Sequence, residues 1–415
     1  MGPVAMRLTL INQFYPPDFA PTGELAASLA EHRVQLGDQV TVVTSQGGYV
    51  AESPVEAAPP ASNPRIHRLW TPRLGKQTLA LRLIDYSFFY AQAAIRLALL
   101  PRQDLIVSLT TPPLIALAGA LHKWLHRETR LILWSMDCYP EVPERAGVLR
   151  PGSLPNRLIR WLNRRLFRAL DYLVCLDTPM EQLLKSQHES ANPKLPTSVI
   201  HNWEPALSYP IDLRPPPWPM AKELDLSGKF VVLYLGNAGY GHQFETVLDA
   251  AEQLRSEPVA FIFVGGGQKW SELRRAKEQR GLASLHVLRY LPRPETPSVM
   301  AAADCALVTL RDSYLGVISP SKIHSNLAMG LPLIYIGPEG GNVDEAIQRY
   351  QCGVSLRHGD VNGMVEFIRR LQAQPERSKA FRSQARRAFE EAYSDVVCLP
   401  QFDRVLEQLV GRAPA

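Results

Sequence analysis

Residues 229–239 have the sequence KFVVLYLGNAG, and they give the clearest indication of the architecture. The run 229–236 is apolar, has the length of a buried strand and ends in a glycine, and a helix-length amphipathic stretch follows it. Directly before it, residues 205–229 hold six prolines and show no clear periodicity. Such a segment is typical of a stiff interdomain linker, so a second domain begins with this strand.

Strand-like runs alternate with helical stretches on both sides of this linker. Before it the runs are 7–12, 39–44, 105–110, 130–137, 172–177 and 197–202, and from residue 229 they are 229–236, 259–265, 285–291, 305–310 and 332–337. This alternation predicts two parallel sheets, each covered by helices on both faces. We therefore expect an α/β protein of two Rossmann-like domains facing a central cleft, the default ligand site of such folds.

The length of 415 residues suits two domains. We expect an amino-terminal domain over 1–204, the linker over 205–229 and a carboxyl-terminal domain over 230–394. The last helical segments are 378–392 and 395–411, and the final one, within 395–415, is expected to pack back on the first domain. The first helix should open near Thr22 with Leu25, Leu29 and Leu36 on one face, and Gly37 should end it.

Composition excludes several classes of protein. The net charge of +5 comes without a long basic run, which argues against a nucleic-acid partner. The five cysteines form no CxxC pair, which indicates a reducing compartment and argues against a structural zinc site. The longest uncharged stretch, 105–121, is broken by Pro112 and Pro113, so no spanning helix is expected. With a strand in place of a secretory signal at the amino terminus, the sequence predicts a cytoplasmic protein.

In each half of the chain, a glycine-containing loop follows the first strand. The loop at 15–23 ends at a helix amino terminus, where free N–H groups favour an anion, and Gly23 would let a phosphate or sugar approach the backbone. The alternative is a rigid turn in which Thr22 caps the helix. The glycine pair at 236–239 allows the same two interpretations, and neither loop has the GxGxxG spacing of a dinucleotide fold.

The segment 319–332 is more informative. Pro320 and Ser321 should start a helix and Gly330 should end it, so Lys322 lies in the first turn. A cation beside the positive end of a helix dipole is locally unfavourable, which indicates an anionic partner such as a diphosphate. The alternative is a solvated surface lysine.

Eight motifs in order carry a resemblance to a known family. They are YPPDFAPTGE (15–24), TTPP (110–113), WSMDCYPEVPERAGVL (134–149), VIHNWEP (199–205), YLGNAGYGH (234–242), FVGGG (263–267), AADCALVTL (302–310) and PSKIHSNLAMGLPLIYIGPEGGNVDEAI (320–347). Together they resemble the bacterial retaining glycosyltransferases of family 4, which have the GT-B fold. The resemblance runs from about residue 7 to residue 370 and is strongest to the branch that builds surface polysaccharides.

The resemblance implies a reaction and a set of site residues. A nucleotide diphosphate-sugar, with uridine as the expected base, would bind mainly to the second domain, and a glycan or lipid-linked acceptor to the first. No metal ion or other cofactor is implied. The implied catalytic residues are Lys322 and Asp137; the implied donor-binding residues are Thr22, Gly23, Gly236, Asn237, Gly239, His242, Ser321, Lys322 and Ser325; the implied acceptor residues are Asp18, Asp137 and Glu141. Glu141 has the alternative of a purely structural helix cap.

The chain departs from the family pattern at two places. The family's paired glutamates fall near Val317 and on Ser325, which can bond a ribose only without charge assistance. The arginine and lysine that often flank the second glycine loop are replaced by Tyr240 and His242. A protonated His242 could supply the missing cation, and a packing or capping histidine is the alternative.

The resemblance implies transfer with retention at the front face of the sugar. Lys322 and helix dipoles would stabilise the leaving diphosphate while the acceptor hydroxyl attacks from the same side. Two rival functions remain at this stage. One is a nucleotide-sugar epimerase of the same architecture, and the other is a sugar-nucleotide-binding scaffold protein with little catalysis.

A second hypothesis concerns an anionic membrane. Basic residues alternate with aromatic residues in two parts of the first domain. One part is a helical stripe of Arg157, Arg160, Arg164 and Arg168 with Trp161 among them, opposite Leu158, Leu162 and Leu166; the other places Arg65, Arg68, Arg73, Lys76, Arg82 and Arg96 between Trp70, Tyr86, Phe88 and Phe89. This pattern suits peripheral contact with the cytoplasmic face of the inner membrane, and a solvated basic face is the alternative.

Overall fold

The computed structural model describes residues 5–18, 20–46, 64–72, 79–210 and 214–411. The chain forms two compact units. Unit 1 contains Met1–His201 and Cys398–Ala415, and unit 2 contains Asn202–Val397. The proline-rich segment 205–229 belongs to unit 2, where its described part includes a short 3-10 helix, Ala206–Ser208, and the helix α7, Met220–Glu223. Residues 211–213 of the predicted linker lie outside the described residues.

Unit 1 is a parallel sheet with helices between its strands. Its strands are β1 (Arg7–Ile11), β2 (Gln39–Ser45), β3 (Arg65–Leu69), β4 (Leu105–Leu109), β5 (Arg130–Trp134), β6 (Tyr172–Cys175) and β7 (Thr197–Val199). Its helices are α1 (Pro21–Gln35), α2 (Leu79–Leu99), α3 (Ala116–Leu125), α4 (Glu141–Arg145), α5 (Leu154–Ala169) and α6 (Thr178–His188). The strand order is β3-β2-β1-β4-β5-β6-β7, so it reverses between β1 and β4.

Unit 2 repeats this plan after α7. Its strands are β8 (Phe230–Asn237), β9 (Val259–Gly266), β10 (Leu285–Leu288), β11 (Cys305–Thr309), β12 (Leu333–Ile336) and β13 (Gly353–Leu356). Its further helices are α8 (Glu245–Gln253), α9 (Trp270–Arg280), α10 (Thr296–Ala301), α11 (Lys322–Ala328), α12 (Asn342–Tyr350), α13 (Val361–Ala373) and α14 (Pro375–Ala388), followed by one π turn (Phe389–Tyr393). The strand order is β10-β9-β8-β11-β12-β13, with the reversal between β8 and β11.

Both sheets are parallel at every described pairing, as the alternating pattern predicts. Their central strands are buried on both faces; β4, for example, has no exposed residue. This is why those strands appear in the sequence as continuous apolar runs rather than as alternating ones. The core of unit 2 lies between β8, β9 and β11 and the helices α8 and α13.

The predicted elements differ from the structure at their ends. Predicted strands 130–137 and 285–291 end earlier, at Trp134 and Leu288; after Trp134 the N–H groups of Met136 and Asp137 donate to the hydroxyl of Thr110. Two short strands, β3 and β13, were not predicted. β3 lies at the edge of its sheet and has an exposed arginine at its start. The predicted face of α1 is also partly wrong, because Leu36 lies beyond the helix and is 53% exposed.

The last helix, α15 (Asp395–Leu409), returns to the first sheet. Its residues from Cys398 onward belong to unit 1. Phe402 is fully buried and its ring centroid lies 4.5 Å from that of Trp134 in β5. Asp403 accepts hydrogen bonds from His32 and Arg33 of α1, each at 2.7 Å. Burial alone would raise the pKa of Asp403, but these hydrogen bonds outweigh it and lower that pKa.

Candidate functional site

The strand order of unit 2 reverses between β8 and β11, so the carboxyl ends of these strands border a crevice. In open parallel sheets this switch point is where ligands bind. Four of the sequence-predicted residues meet there: Gly236 and Asn237 at the end of β8, His242 in the following loop, and Lys322 at the start of α11. We call these four residues and Thr309 the Lys322 cluster.

Lys322 makes only uncharged contacts in this cluster. Its Nζ donates to the carbonyl oxygen of Asn237 at 3.0 Å, lies 3.3 Å from Nε2 of His242, and lies 5.0 Å from the ring centroid of Tyr234. No carboxylate in the described part of the chain pairs with it. Burial lowers the pKa of Lys322 to about 7. An ammonium held without a counter-charge is suited to receive an anion.

Both the backbone conformation of Gly236 and the packing of Lys322 against it favour a glycine at this position. Its φ is +124°, which is favourable only for glycine, and a Cβ there would lie 3.2 Å from Cε of Lys322. The absent side chain therefore leaves the space that the stem of Lys322 occupies. The structure shows this close approach of a side chain, and the approach of a donor phosphate to Gly236 stays a prediction.

His242 is buried and neutral. Its Nδ1 lies 2.8 Å from the carbonyl oxygen of Thr309 and 3.1 Å from the hydroxyl of the same residue. Burial and the neighbouring Lys322 hold the pKa of His242 well below its usual range. The hypothesis that His242 supplies a cation is therefore wrong, because Nδ1–H donates to the carbonyl and the unprotonated Nε2 faces the ammonium.

Ser321 and Ser325 flank Lys322 along the chain. The helix begins at Lys322 rather than at Pro320, and Ser321 is its N-cap residue without a side-chain capping hydrogen bond. The carbonyl of Ser321 accepts from Nδ1 of His324 at 2.8 Å. Ser325 lies one helical turn after Lys322 and is half-buried. Their roles in donor binding stay predictions.

A second glycine loop, Gly265 to Gly267 at the end of β9, lies beside the end of β8. Gly265 has a φ of +143°, and a Cβ there would lie 2.2 Å from the carbonyl oxygen of Gly236. A Cβ on Gly267 would lie 2.4 Å from Oδ1 of Asn237. The three glycines of FVGGG after a predicted strand were the available signal. Gly239 is less constrained, since a Cβ there would meet its nearest neighbour, Nδ2 of Asn237, at 3.6 Å.

The loop after β1 in unit 1 holds Asp18, Thr22 and Gly23. Helix α1 begins at Pro21 with Ala20 as its N-cap residue, so the alternative that Thr22 caps this helix is wrong. The hydroxyl of Thr22 instead accepts from Nδ2 of Asn12 at 3.2 Å. A Cβ on Gly23 would lie 3.1 Å from the backbone of Phe14, so close packing of helix and loop explains this glycine.

Asp18 lies in the tight turn before α1. Its backbone N–H donates to the carbonyl of Tyr15 at 3.2 Å, and its own carbonyl accepts from Ala20 at 3.0 Å. The residue is half-buried. Its predicted contact with an acceptor stays a prediction, as do the donor contacts of Thr22 and Gly23.

Asp137 lies in the turn after β5. The hydroxyl of Thr110, at the end of β4, accepts from the backbone N–H groups of Met136 and Asp137 at 3.1 and 3.2 Å and so fixes this turn. Burial raises the pKa of Asp137 to about 6. No described residue makes a hydrogen bond or an ion pair with its carboxylate. A carboxyl in this state can accept a proton near neutral pH.

A small cavity of about 30 Å³ adjoins Asp137. Its polar lining includes Thr110, Ser135, Asp137 and Asn163. Most of the other lining residues are apolar, among them Leu109, Leu133 and Phe167.

Glu141 begins α4 and is an ion-pair residue. One carboxylate oxygen lies 3.2 Å from Nη1 of Arg160 in α5, and the residue is 5% exposed. Arg160 also pairs with Glu144 at 2.7 Å. Helix α4 has no side-chain cap, so the alternative of a helix cap is wrong for Glu141. Its other oxygen, Oε2, is buried without a hydrogen-bond partner, and a contact with acceptor hydroxyls stays a prediction.

The basic surface of unit 1 differs from the predicted stripe. On α5, Leu154, Leu158 and Trp161 are 80, 56 and 50% exposed, so Leu158 does not lie on the buried face. That face consists of Asn156, Asn163, Leu166 and Phe167. Arg160 is engaged with Glu141 and Glu144, whereas Arg157, Arg164 and Arg168 remain exposed.

In the second basic region, Phe89 is fully buried. Arg68 donates to the carbonyl of Pro16, and Arg96 bonds the ring of His67. Arg73, Lys76 and the side chain of Arg82 lie outside the described residues. Among the helices that the structure describes, none is long and apolar enough to cross a membrane. The described residues also include no group of three His, Cys, Asp or Glu side chains that could hold a metal ion.

Two family models match this chain. The "Glycosyl transferase 4-like domain" matches residues 22–203, and "Glycosyl transferases group 1" matches residues 229–374. A Pseudomonas aeruginosa protein described as the glycosyltransferase WbjE is 27% identical over 328 residues, which is 78% of this chain and 80% of that protein. A colanic acid biosynthesis glycosyl transferase of Escherichia coli K12, WcaI, is 26% identical over 174 residues, 41% of this chain and 43% of WcaI.

Solved structures share the fold. HepE of Anabaena, crystallised with UDP-glucose, has a TM-score of 0.67 and 17% identity, with 97% of this chain and 100% of that chain covered. At this identity the likeness shows the fold alone. It confirms the predicted fold class, two parallel-sheet α/β domains of the GT-B type.

Proposed function

We propose that this protein is a retaining enzyme. The chain belongs to the GT-B-fold glycosyltransferases of bacterial surface-polysaccharide biosynthesis. It moves a sugar from a uridine diphosphate-sugar to a hydroxyl group of a glycan or lipid-linked acceptor. The reaction needs no metal ion. The observation that carries this proposal is Lys322, an ammonium without a carboxylate partner beside the glycine-rich ends of β8 and β9.

Lys322 offsets the charge that develops on the leaving diphosphate. As the bond between the anomeric carbon and the diphosphate oxygen breaks, negative charge collects on that oxygen. A positive group that is already in place stabilises this charge without reorganising, which is the largest single effect in many enzymes. Asn237 and His242 support this role, because they hold the ammonium through a carbonyl oxygen and a ring nitrogen and leave its charge unneutralised.

Asp137 serves the acceptor side of the reaction. With a pKa of about 6 it is largely ionised at neutral pH and accepts a hydrogen bond from an acceptor or sugar hydroxyl. The Thr110 hydroxyl supports this role because it fixes the backbone on which the carboxylate stands. Transfer with retention follows the family resemblance, in which the acceptor hydroxyl attacks from the face that the diphosphate leaves.

Uridine diphosphate is the proposed leaving group. HepE, which shares the fold, binds UDP-glucose. Ser325 stands where the family pattern has a ribose-binding glutamate, and its hydroxyl can still accept or donate a hydrogen bond to ribose.

Thermal unfolding of the purified protein with a panel of nucleoside diphosphates and nucleotide sugars, in the presence of EDTA, tests donor binding. We expect the uridine compounds to raise the unfolding temperature selectively. Release of UDP only in the presence of an acceptor then tests transfer. NMR of the product tests retention, because the anomeric configuration of the new linkage should match that of the donor. Conversion of the nucleotide-sugar without an acceptor would instead indicate an epimerase, and binding without turnover a scaffold protein.

The acceptor side is proposed to face an anionic membrane, on a surface of unit 1. Helices α2, α3 and α5 pack side by side and expose large apolar groups. These are Leu83, Ile84, Phe88, Ile95 and Leu99 on α2, Leu121, Trp124 and Leu125 on α3, and Leu154, Leu158 and Trp161 on α5. Exposed arginines at 157, 164, 165 and 168 flank those of α5. Apolar groups beside cations suit an anionic bilayer, where a lipid-linked acceptor lies.

Flotation with vesicles tests this surface. We expect binding to phosphatidylglycerol vesicles and little binding to phosphatidylcholine vesicles. The double variant Leu158→Ser, Trp161→Ser should bind less, whereas Leu207→Ser, at a 95% exposed leucine of unit 2, should bind like wild type. Wild-type protein that stays unbound to anionic vesicles at low salt would overturn this part of the proposal.

A further inference from the structure

Arg311 lies at the same switch point as the Lys322 cluster. Strand pairing continues past β11, since the N–H of Leu310 donates to the carbonyl of Ile336 at 3.0 Å. Arg311 follows with an extended backbone, φ −68° and ψ 142°. Its N–H donates at 2.8 Å to the carbonyl of Gly241, the residue before His242. Arg311 therefore borders the loop that carries His242.

The alternation of side chains along an extended strand determines the face on which Arg311 lies. Thr309 directs its hydroxyl toward His242, with Oγ1 at 3.1 Å from Nδ1. Residues two apart on a strand lie on one face. Arg311 is thus on the face of Thr309, toward the Lys322 cluster, and beyond the end of the sheet where a ligand would bind.

The guanidinium of Arg311 has no partner among the residues that the structure describes. The side chain is half-buried, yet no described carboxylate, carbonyl or amide bonds it. By contrast, the half-buried Arg357 of the same unit pairs with Asp344, and Arg386 bonds Glu390. A partly desolvated cation without a partner is costly to the fold, which indicates an anionic partner outside the chain.

We infer that Arg311 is a second cation for the diphosphate of the donor, acting beside Lys322. This inference rests on the proposed function. At the positions where the family pattern has an arginine and a lysine, this chain has Tyr240 and a neutral His242. Arg311, at the end of β11, supplies the second positive charge in their place. The planar guanidinium can bond two phosphate oxygens at once. It also stays charged at any physiological pH.

Calorimetric titration with UDP, UMP and uridine tests this role in Arg311→Gln, Arg311→Lys and the control Arg349→Gln. Arg349 is an exposed arginine of the same unit, on α12. We expect Arg311→Gln to weaken UDP binding about 10- to 100-fold and to leave uridine binding unchanged. Arg311→Lys should recover part of the loss. The control should bind UDP like wild type.

Two results would overturn the inference. One is Arg311→Gln binding UDP within twofold of wild type. The other is an equal loss for uridine and UDP, which would place the effect away from the phosphates. A wild-type protein that binds no UDP is a different failure, because it would overturn the proposed function together with this role. Thermal unfolding without ligand shows whether each variant is folded.

Discussion

The ammonium of Lys322 lies 3.3 Å from Nε2 of His242, while the opposite ring nitrogen of that histidine lies 2.8 Å from a strand-end carbonyl. The carbonyl of Thr309 accepts only, so Nδ1 must carry the proton. Nε2 is then unprotonated, and its lone pair faces the ammonium of Lys322. The histidine thus serves to orient the lysine and contributes no charge of its own.

This arrangement predicts that His242 does not titrate near neutral pH. Nitrogen-15 NMR of the imidazoles should show one ring that keeps the Nδ1–H tautomer from pH 5.5 to 8. Its pKa is lowered by burial and by Lys322, so protonation requires more acid than this range offers. The spectrum of His242→Phe assigns the signal, and a ring that protonates near pH 6.5 would contradict the assignment.

Lys322→Ala should lower turnover by about 10²- to 10³-fold, because a preorganised charge at the leaving group is lost. The fold should survive, since the lysine makes no ion pair with a described residue. Steady-state kinetics with the donor found by thermal unfolding would measure this effect. Lys379→Ala, at an exposed lysine of the same unit, is the control and should turn over like wild type. Turnover of Lys322→Ala within a few-fold of wild type would remove the mechanism.

Donor affinity should fall as the pH rises. The pKa of Lys322 in the free protein is about 7, so above pH 7 a growing fraction of the protein has an uncharged lysine. Binding of the diphosphate then requires uptake of a proton by Lys322. UDP affinity is therefore expected to fall by up to about tenfold per pH unit above pH 7. Calorimetry at several pH values measures it. Lys322→Arg, always charged, should show a flatter profile between pH 7 and 9.

Asp137→Asn should stabilise the protein at neutral pH. The pKa of this carboxyl is raised to about 6 in the fold, so the native state binds its proton more tightly than the unfolded state does. Ionisation of Asp137 therefore lowers the free energy of unfolding as the pH rises from about 4 to 6. The amide of the Asp137→Asn variant does not ionise, so the variant keeps that stability. We expect a gain on the order of 1–3 kcal/mol at pH 7 that vanishes near pH 4.

Chemical denaturation at pH 4 and pH 7 measures this difference. The control is Asp171→Asn, in which a carboxylate that pairs with Lys123 at 2.6 Å loses its charge. That variant should be less stable than wild type at pH 7. A destabilised Asp137→Asn at neutral pH would show that the carboxylate is satisfied in the fold.

Gly265→Ala should unfold unit 2 more easily than Gly281→Ala. A methyl group on Gly265 would lie 2.2 Å from the carbonyl oxygen of Gly236, where the backbone must shift, whereas a Cβ on Gly281 meets nothing within 4 Å. Both glycines have positive φ, so the second variant shows the backbone cost alone, about 1–2 kcal/mol. We expect Gly265→Ala to cost about 3 kcal/mol or more by urea denaturation. Equal costs would mean that the loop yields without strain.

The sequence predicts the fold well and the site in part. Buried parallel strands are continuous apolar runs, so β8 and its neighbours are visible, whereas β13 is short and begins with a glycine and is not. Lys322 and Gly236 could be named from one segment each. Arg311 could not, because its importance depends on β11 lying next to β8, and that pairing of distant strands is invisible in the local pattern. The neutral state of His242 has the same kind of cause, since its pKa is lowered by burial in the folded unit and by Lys322, which lies far along the chain.

The return of α15 to unit 1 has a consequence for synthesis. The ring of Trp134 packs against Phe402, and Arg33 pairs with the carboxylate of Asp403. Phe402 and Asp403 are translated more than 260 residues after Trp134. Unit 2, by contrast, is contiguous in sequence over Asn202–Val397 and can close as soon as it is made. Unit 1 therefore cannot complete its packing before unit 2 has been translated, and β5 lacks the cover of Phe402 until that residue has emerged.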